Sequence, residues 1–210
     1  MTYRETAGTG AHRTRATVIT ALVTIGVTLT GALIHRSVEQ SSAPPASPDA
    51  ALHGRPPRPL GEADGAVPEG VTVFDDGVPA VANLDPDLLA ALRRAATDAA
   101  DDRVAMFVSS GWRSPQYQER LLREAVRKYG SAKEAARWAA TPETSPHVSG
   151  DAIDIRNADA TAWLSEHGAD HGLCQIYRNE SWHYELRPDA TDQGCPPMYA
   201  DPTEDPRMRQ

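Results

Sequence analysis

A histidine and an aspartate lie seven positions apart in "SPHVSGDAID", residues 145–154. His147 and Asp154 belong to a turn entering a buried strand, or they are two ligands of one metal ion that needs a third ligand elsewhere. His183 in "NESWHYEL", residues 179–186, is the candidate, with Glu180 three residues before it. Two histidines and one aspartate supply nitrogen and oxygen donors and leave a coordination position open, as catalytic zinc usually requires. Zinc would lower the pKa of a bound water toward ~7, and a neighbouring carboxylate could take its proton. Positions three apart on a regular strand face opposite sides. Glu180 is therefore expected to be that base, aimed by a turn at the loop-to-strand junction, and not a ligand. His-x6-Asp and Glu-x-x-His are each weak signals alone; their combination is far more specific.

Short strands and helices must position these groups. "DAIDIR" reads as a strand on which Gly150, Ala152 and Asp154 share one face, leaving a hollow beside the carboxylate. "LCQIYR" and "SWHYEL" read as two more strands, and "RVAMFVSSG" as another ending on Gly111. "LDPDLLAALRRAATDAADD" has apolar residues at helical spacing behind Pro86. "SPQYQERLLREAVRKYG" is an amphipathic helix capped by Ser114, with Pro115 in its first turn and Gly130 as its stop. "SAKEAARWAA" and "ATAWLSEHG" read as shorter helices. Helices and strands mix without regular βαβ alternation, so the expected fold is α+β with a small antiparallel sheet and flanking helices.

The chain has 210 residues, 40% of them hydrophobic and 6% aromatic, with a net charge of -8. Arg4, Arg13, Arg15 and Arg36 face only Glu5 among the first 36 residues, so the acidity belongs to the body of the chain. An acidic body speaks against a nucleic-acid partner, because phosphate binding needs clustered Lys and Arg. "TVITALVTIGVTLTGALI", residues 17–34, is uncharged and apolar, close to the ~17–25 residues that span a bilayer. Preceding basic residues predict a cytoplasmic tail at 1–16, a transmembrane anchor at 17–34 and an extracytoplasmic body; a cleaved signal sequence with secretion is the alternative. Residues 35–70 are rich in Pro, Ala, Ser and Gly and read as a disordered linker, with the catalytic domain at 71–205. Cys174 and Cys195 are the sole cysteines, and an exported chain would join them in a disulfide; two buried thiols are the alternative.

The motifs "SxHxxGxAxD" and "ExWH" resemble the signature of the VanY-type D-alanyl-D-alanine carboxypeptidases, zinc D,D-peptidases with a hedgehog-like fold. "SSGWRSPQYQ", residues 109–118, is similar to that family's "SGYRS…Q" segment, with Trp112 where tyrosine is usual. The resemblance spans roughly residues 71–200, with the three motifs in family order. It implies one Zn2+ per chain, with His147, Asp154 and His183 as ligands and Glu180 as catalytic base. It further implies that Arg113 stabilises the oxyanion or binds substrate, and that Gln118 and Ser145 help hold a terminal carboxylate. The implied activity is removal of the C-terminal D-Ala from peptidoglycan stem peptides. The alternatives are an L,D-carboxypeptidase, D,D-dipeptidase or wall endopeptidase of the same fold, and a non-catalytic wall-binding module, for which a retained base has no use. The sequence leaves the oligomeric state open.

Overall fold

The computed structural model describes residues 59–209. In chain order its elements are α1 (Pro79–Ala82), α2 (Pro86–Asp101), β1 (Val108–Ser110), α3 (Pro115–Tyr129), α4 (Ala132–Ala135) and α5 (Pro146–Ser149). Then follow β2 (Ala152–Ile155), α6 (Ala158–His167), β3 (Leu173–Gln175), β4 (His183–Leu186) and α7 (Ala190–Gln193). The four strands form one antiparallel sheet in the order β1-β2-β4-β3. This is the α+β architecture expected from the sequence.

Helix α2 supplies most of the apolar layer against the sheet. Asp85 caps it by accepting hydrogen bonds from the amides of Asp87 and Leu88, and Pro86 occupies its first turn. Leu88, Ala91, Leu92, Ala95, Ala96 and Ala99 are buried along one face. They share a core with Val108, Ile153, Ile155 and Tyr184 from the strands. Burying Leu88 and Leu92 contributes roughly 1.5–3 kcal/mol each, and the alanines let the helix lie close to the sheet. Helix α3 begins on the Ser114 hydroxyl, which accepts from Tyr117 N–H, and ends at Gly130.

Ile153 and Ile155 face this core, which turns Ala152 and Asp154 to the opposite side of β2. Register then sets Asp154 directly beside His183 on β4 and Ser110 on β1. The sheet is therefore what brings together groups far apart in sequence.

The expected strand at 103–111 shrinks to Val108–Ser110. Ahead of it, the Asn157 side chain accepts from Phe107 N–H and donates to Ala105 O, taking the place of ladder bonds. Gly150 leaves no hollow either. It has φ +86, and a Cβ there would lie 2.6 Å from Asn83 O, so glycine is required by backbone approach and by conformation.

The expected linker boundary at residue 70 falls too late. Glu62–Asp64 forms a 3-10 turn, Asp64 is buried, and its carbonyl accepts from Ser114 N–H. These ties are polar and leave no apolar period in the sequence. No helix among the described residues is long and apolar enough to cross a membrane. That finding corrects the expectation of a single-pass membrane location. The run at 17–34 on which it rested, the tail at 1–16 and the linker up to residue 58 lie outside the described residues.

Cys174 and Cys195 form the expected disulfide, with Cα atoms 5.6 Å apart and a sequence separation of 21. Closing a loop of that length contributes ~3 kcal/mol in the chain-entropy account. Cys195→Ser should lower the unfolding free energy by about that amount in urea titration. A variant as stable as the parent would show that the bond carries no thermodynamic load.

Candidate metal centre

His147 stands on α5, a single turn that begins with Pro146 and ends at Gly150. Its Nδ1 lies 2.8 Å from Gly111 O. Only an N–H can donate to that carbonyl, so the proton sits on Nδ1 and the Nε2 lone pair is free toward the site. Gly111 is tied in turn: a Cβ there would lie 2.1 Å from Ala80 O. Asp154 Oδ1 is 3.4 Å from His147 Nε2 and 3.2 Å from His183 Nδ1. The two imidazole rings meet edge to face at 5.1 Å.

All three side chains are buried, and their donor atoms lie within 4.8 Å of one another. Two imidazole nitrogens and one carboxylate oxygen, each braced on its far side, fit a zinc ion. The brace behind His183 is Glu185, whose Oε1 lies 3.2 Å from His183 Nε2. Behind Asp154 it is Arg113, whose Nη2 donates to Oδ2 at 2.9 Å.

Electrostatics follow from this packing. Burial opposes ionisation of Asp154, but His147, His183 and Arg113 outweigh it and hold the carboxyl well below its usual range. Burial, reinforced by Arg113, lowers His147. For His183 burial acts downward, yet hydrogen bonds to Asp154 and Glu185 lift it to about 9. Burial, aided by Asp154 and opposed by His183, pushes Glu180 up to about 7.

Glu180 is buried, and its Oε2 is 3.8 Å from His183 Nδ1. A turn at 181–182, closed by His183 N–H donating to Glu180 O, brings it to the same cavity as the strand residue that follows. Arg113, Gln118, Ser145, His147, Asp154, Glu180 and His183 all line that cavity, of about 90 Å³. A larger hollow of about 580 Å³ beside Gln175, Arg187 and Cys195 contains none of them.

Two of the expected residues make further contacts with the protein. Arg113 gives its Nε to Ser110 Oγ and its Nη1 to Gln118 Oε1, besides its hold on Asp154. Gln118 is 1% exposed and donates its Nε2 to Ala140 O. Its Oε1 accepts from Arg113 and one amide hydrogen goes to Ala140, so Gln118 holds Arg113 in place. Ser145 Oγ has no hydrogen bond to protein among the described residues.

Glu185 escaped the sequence reading although alternation signals it: two residues after His183 on a strand, it must share that residue's face. Its outer partner Arg207 lies too far along the chain for any pattern to connect them. Trp138 and Trp182, 39% and 40% exposed, also line the cavity. His167 and His171 pack on Trp163, away from the site.

The sequence profile of the D-alanyl-D-alanine carboxypeptidase family VanY matches residues 81–189. A D-alanyl-D-alanine carboxypeptidase of Enterococcus faecalis (strain ATCC 700802 / V583) is 34% identical over 109 residues, covering 40% of this chain and 40% of that protein. The chain thus spans well under half the length of that curated relative. Among solved structures, the Zn(II) complex of a VanY D,D-pentapeptidase variant from a VanB-type vancomycin-resistance cassette is 26% identical. That match covers 49% of this chain and 72% of the other, with a TM-score of 0.46. An L,D-carboxypeptidase, DacB, from Streptococcus pneumoniae is 25% identical, covering 53% and 71%, with a TM-score of 0.45.

Proposed function

Because this chain belongs to the VanY family of D-alanyl-D-alanine carboxypeptidases, we propose that it is a zinc-dependent D,D-carboxypeptidase acting on peptidoglycan stem peptides. The observation that carries this reading is the buried His147, Asp154 and His183 cluster with the Glu180 carboxylate beside it.

His147 Nε2, Asp154 Oδ1 and His183 Nδ1 would hold the ion. Zinc, when bound, supplies Lewis acidity toward the scissile carbonyl and acidifies water. Glu180 takes the proton from the attacking water and delivers it to the leaving D-Ala nitrogen, a transfer suited to a carboxyl that burial has raised toward neutrality. Arg113 keeps Asp154 oriented and adds positive charge to the cavity as negative charge builds on the carbonyl oxygen. Ser145 lines the same cavity, and its hydroxyl, without a hydrogen-bond partner among the described residues, is available to the substrate's terminal carboxylate.

The test is incubation of purified chain and zinc with a stem pentapeptide ending in D-Ala-D-Ala, read by mass spectrometry. Release of one D-Ala is expected. Release only from a tetrapeptide would make it an L,D-carboxypeptidase, and internal cleavage an endopeptidase. The same assay with a C-terminal amide probes recognition of the free carboxylate. A charge-assisted contact is worth ~1.5–3 kcal/mol, so kcat/KM should fall roughly ten- to hundredfold. Equal turnover of acid and amide would overturn the exopeptidase reading.

A further inference from the structure

The C-terminal segment reaches back beneath the metal centre. Pro206–Arg209 forms a 3-10 turn. From it, Arg207 donates Nη1 to Glu185 Oε2 at 2.7 Å and Nη2 to Oε1 at 3.1 Å. A two-pronged guanidinium pair fixes the plane of a carboxylate, which a single point charge does not. Glu185 Oε1 is also the atom beside His183 Nε2. The plane of Glu185 therefore sets the direction in which the opposite ring nitrogen, Nδ1, faces the site.

Arg207 is itself secured. Its Nε donates to both oxygens of Asp205, at 3.1 and 3.0 Å. Asp205 is fully buried and accepts from the Tyr177 hydroxyl at 2.9 Å, and the Tyr177 ring lies 5.1 Å from that of His183. Arg187 reaches Glu185 with one nitrogen only, at 2.7 Å, so it adds charge without fixing orientation. The matched family span ends at residue 189, so Arg207 and Asp205 both come from sequence outside it.

We propose that Arg207 is a positioning residue of the metal centre: through Glu185 it holds His183 Nδ1 toward the position shared with His147 and Asp154, and so sets zinc affinity. The proposal rests on the zinc reading given above. Partners of ligating histidines are typically worth 10–100-fold in metal affinity, and Arg207 acts one contact further out, so about tenfold is expected.

The experiment compares the full chain with R207A, R207K and R209A. Zinc affinity is measured by competition with a chromophoric chelator, the ligand field by Co(II) absorption, and folding by thermal melting. R207A should bind zinc about tenfold more weakly and shift the Co(II) bands. R207K keeps the charge and loses the fork, so it should fall between R207A and the parent. R209A should match the parent, since among the described residues Arg209 Nη2 donates to backbone oxygens of Thr203 and Glu204 and to no group of the centre. R207A with parental zinc affinity and Co(II) spectrum, even with a lowered Tm, would overturn the proposal. Should R207A fail to fold, parental affinity in R207K would do the same. A parent chain that binds one zinc yet leaves D-Ala-ended peptides intact would defeat the functional reading alone and leave the Arg207 comparison readable. A parent chain that takes up no zinc would overturn both.

Discussion

Asp154→Asn is expected to lose stoichiometric zinc on dialysis and about a thousandfold in kcat/KM. Asp154 is the one anionic donor in the cluster, and three partners depend on it: His147 Nε2, His183 Nδ1 and Arg113 Nη2. Asparagine keeps the shape and removes the charge, which leaves the Arg113 guanidinium facing a neutral amide in a buried site. Breaking a buried charged pair by neutralising one member costs ~3–5 kcal/mol of folding stability. The activity loss comes separately from losing the ion, whose Lewis acidity supplies several kcal/mol of transition-state stabilisation, about a thousandfold in rate. Metal analysis, circular dichroism and the pentapeptide assay on one preparation check this directly. A folded variant with full zinc occupancy and parental turnover would remove Asp154 from the ligand set.

Glu180→Gln should behave in the opposite way, keeping zinc and losing kcat. Glu180 lies beside His183 Nδ1 at 3.8 Å, outside the cluster of three donors, so its charge is not needed to retain the ion. Its value is as a proton carrier, and positioned general bases contribute ~10²–10⁴-fold. The pH profile gives a second readout. The base must be deprotonated to act, so parental kcat/KM should fall as pH drops through the Glu180 pKa. Burial sets that pKa at about 7 in the metal-free site, and a nearby dication lowers it, which places the acidic limb at or below about 7. Glutamine has no such ionisation, and the limb should vanish with the activity. Loss of zinc from the variant would make Glu180 a ligand instead.

The sequence carried the outlines of both the fold and the centre. Helices α2 and α3 were legible because Pro86, Ser114, Pro115 and Gly130 are local signals acting on local backbone, whereas the Asp85 cap of α2 emerged only with the structure. His147, Asp154 and His183 were legible because residue type and order mark a donor set even without geometry. The one-turn helix under His147 was not, since four residues cannot establish a period. Neither was the engagement of Gln118, which reads as one more polar residue on an amphipathic helix until Ala140 and Arg113 are brought to it. Arg207 was hidden most deeply, because its bond to Glu185 joins positions 22 residues apart with no pattern between them.

The strand order β1-β2-β4-β3 leaves β3 at the rim of the sheet. A bare rim of unpaired amides and carbonyls is a template on which another chain can add a strand. Just past β3, Tyr199 N–H donates to Ile176 O and Arg178 N–H donates to Tyr199 O, so the returning chain pairs with the stretch that continues this rim. Cys195 fastens the same returning segment to Cys174 within β3 itself. The disulfide thus clamps the returning segment at one end, and the Tyr199 pairing holds it at the other, so the chain beside this edge is pinned twice.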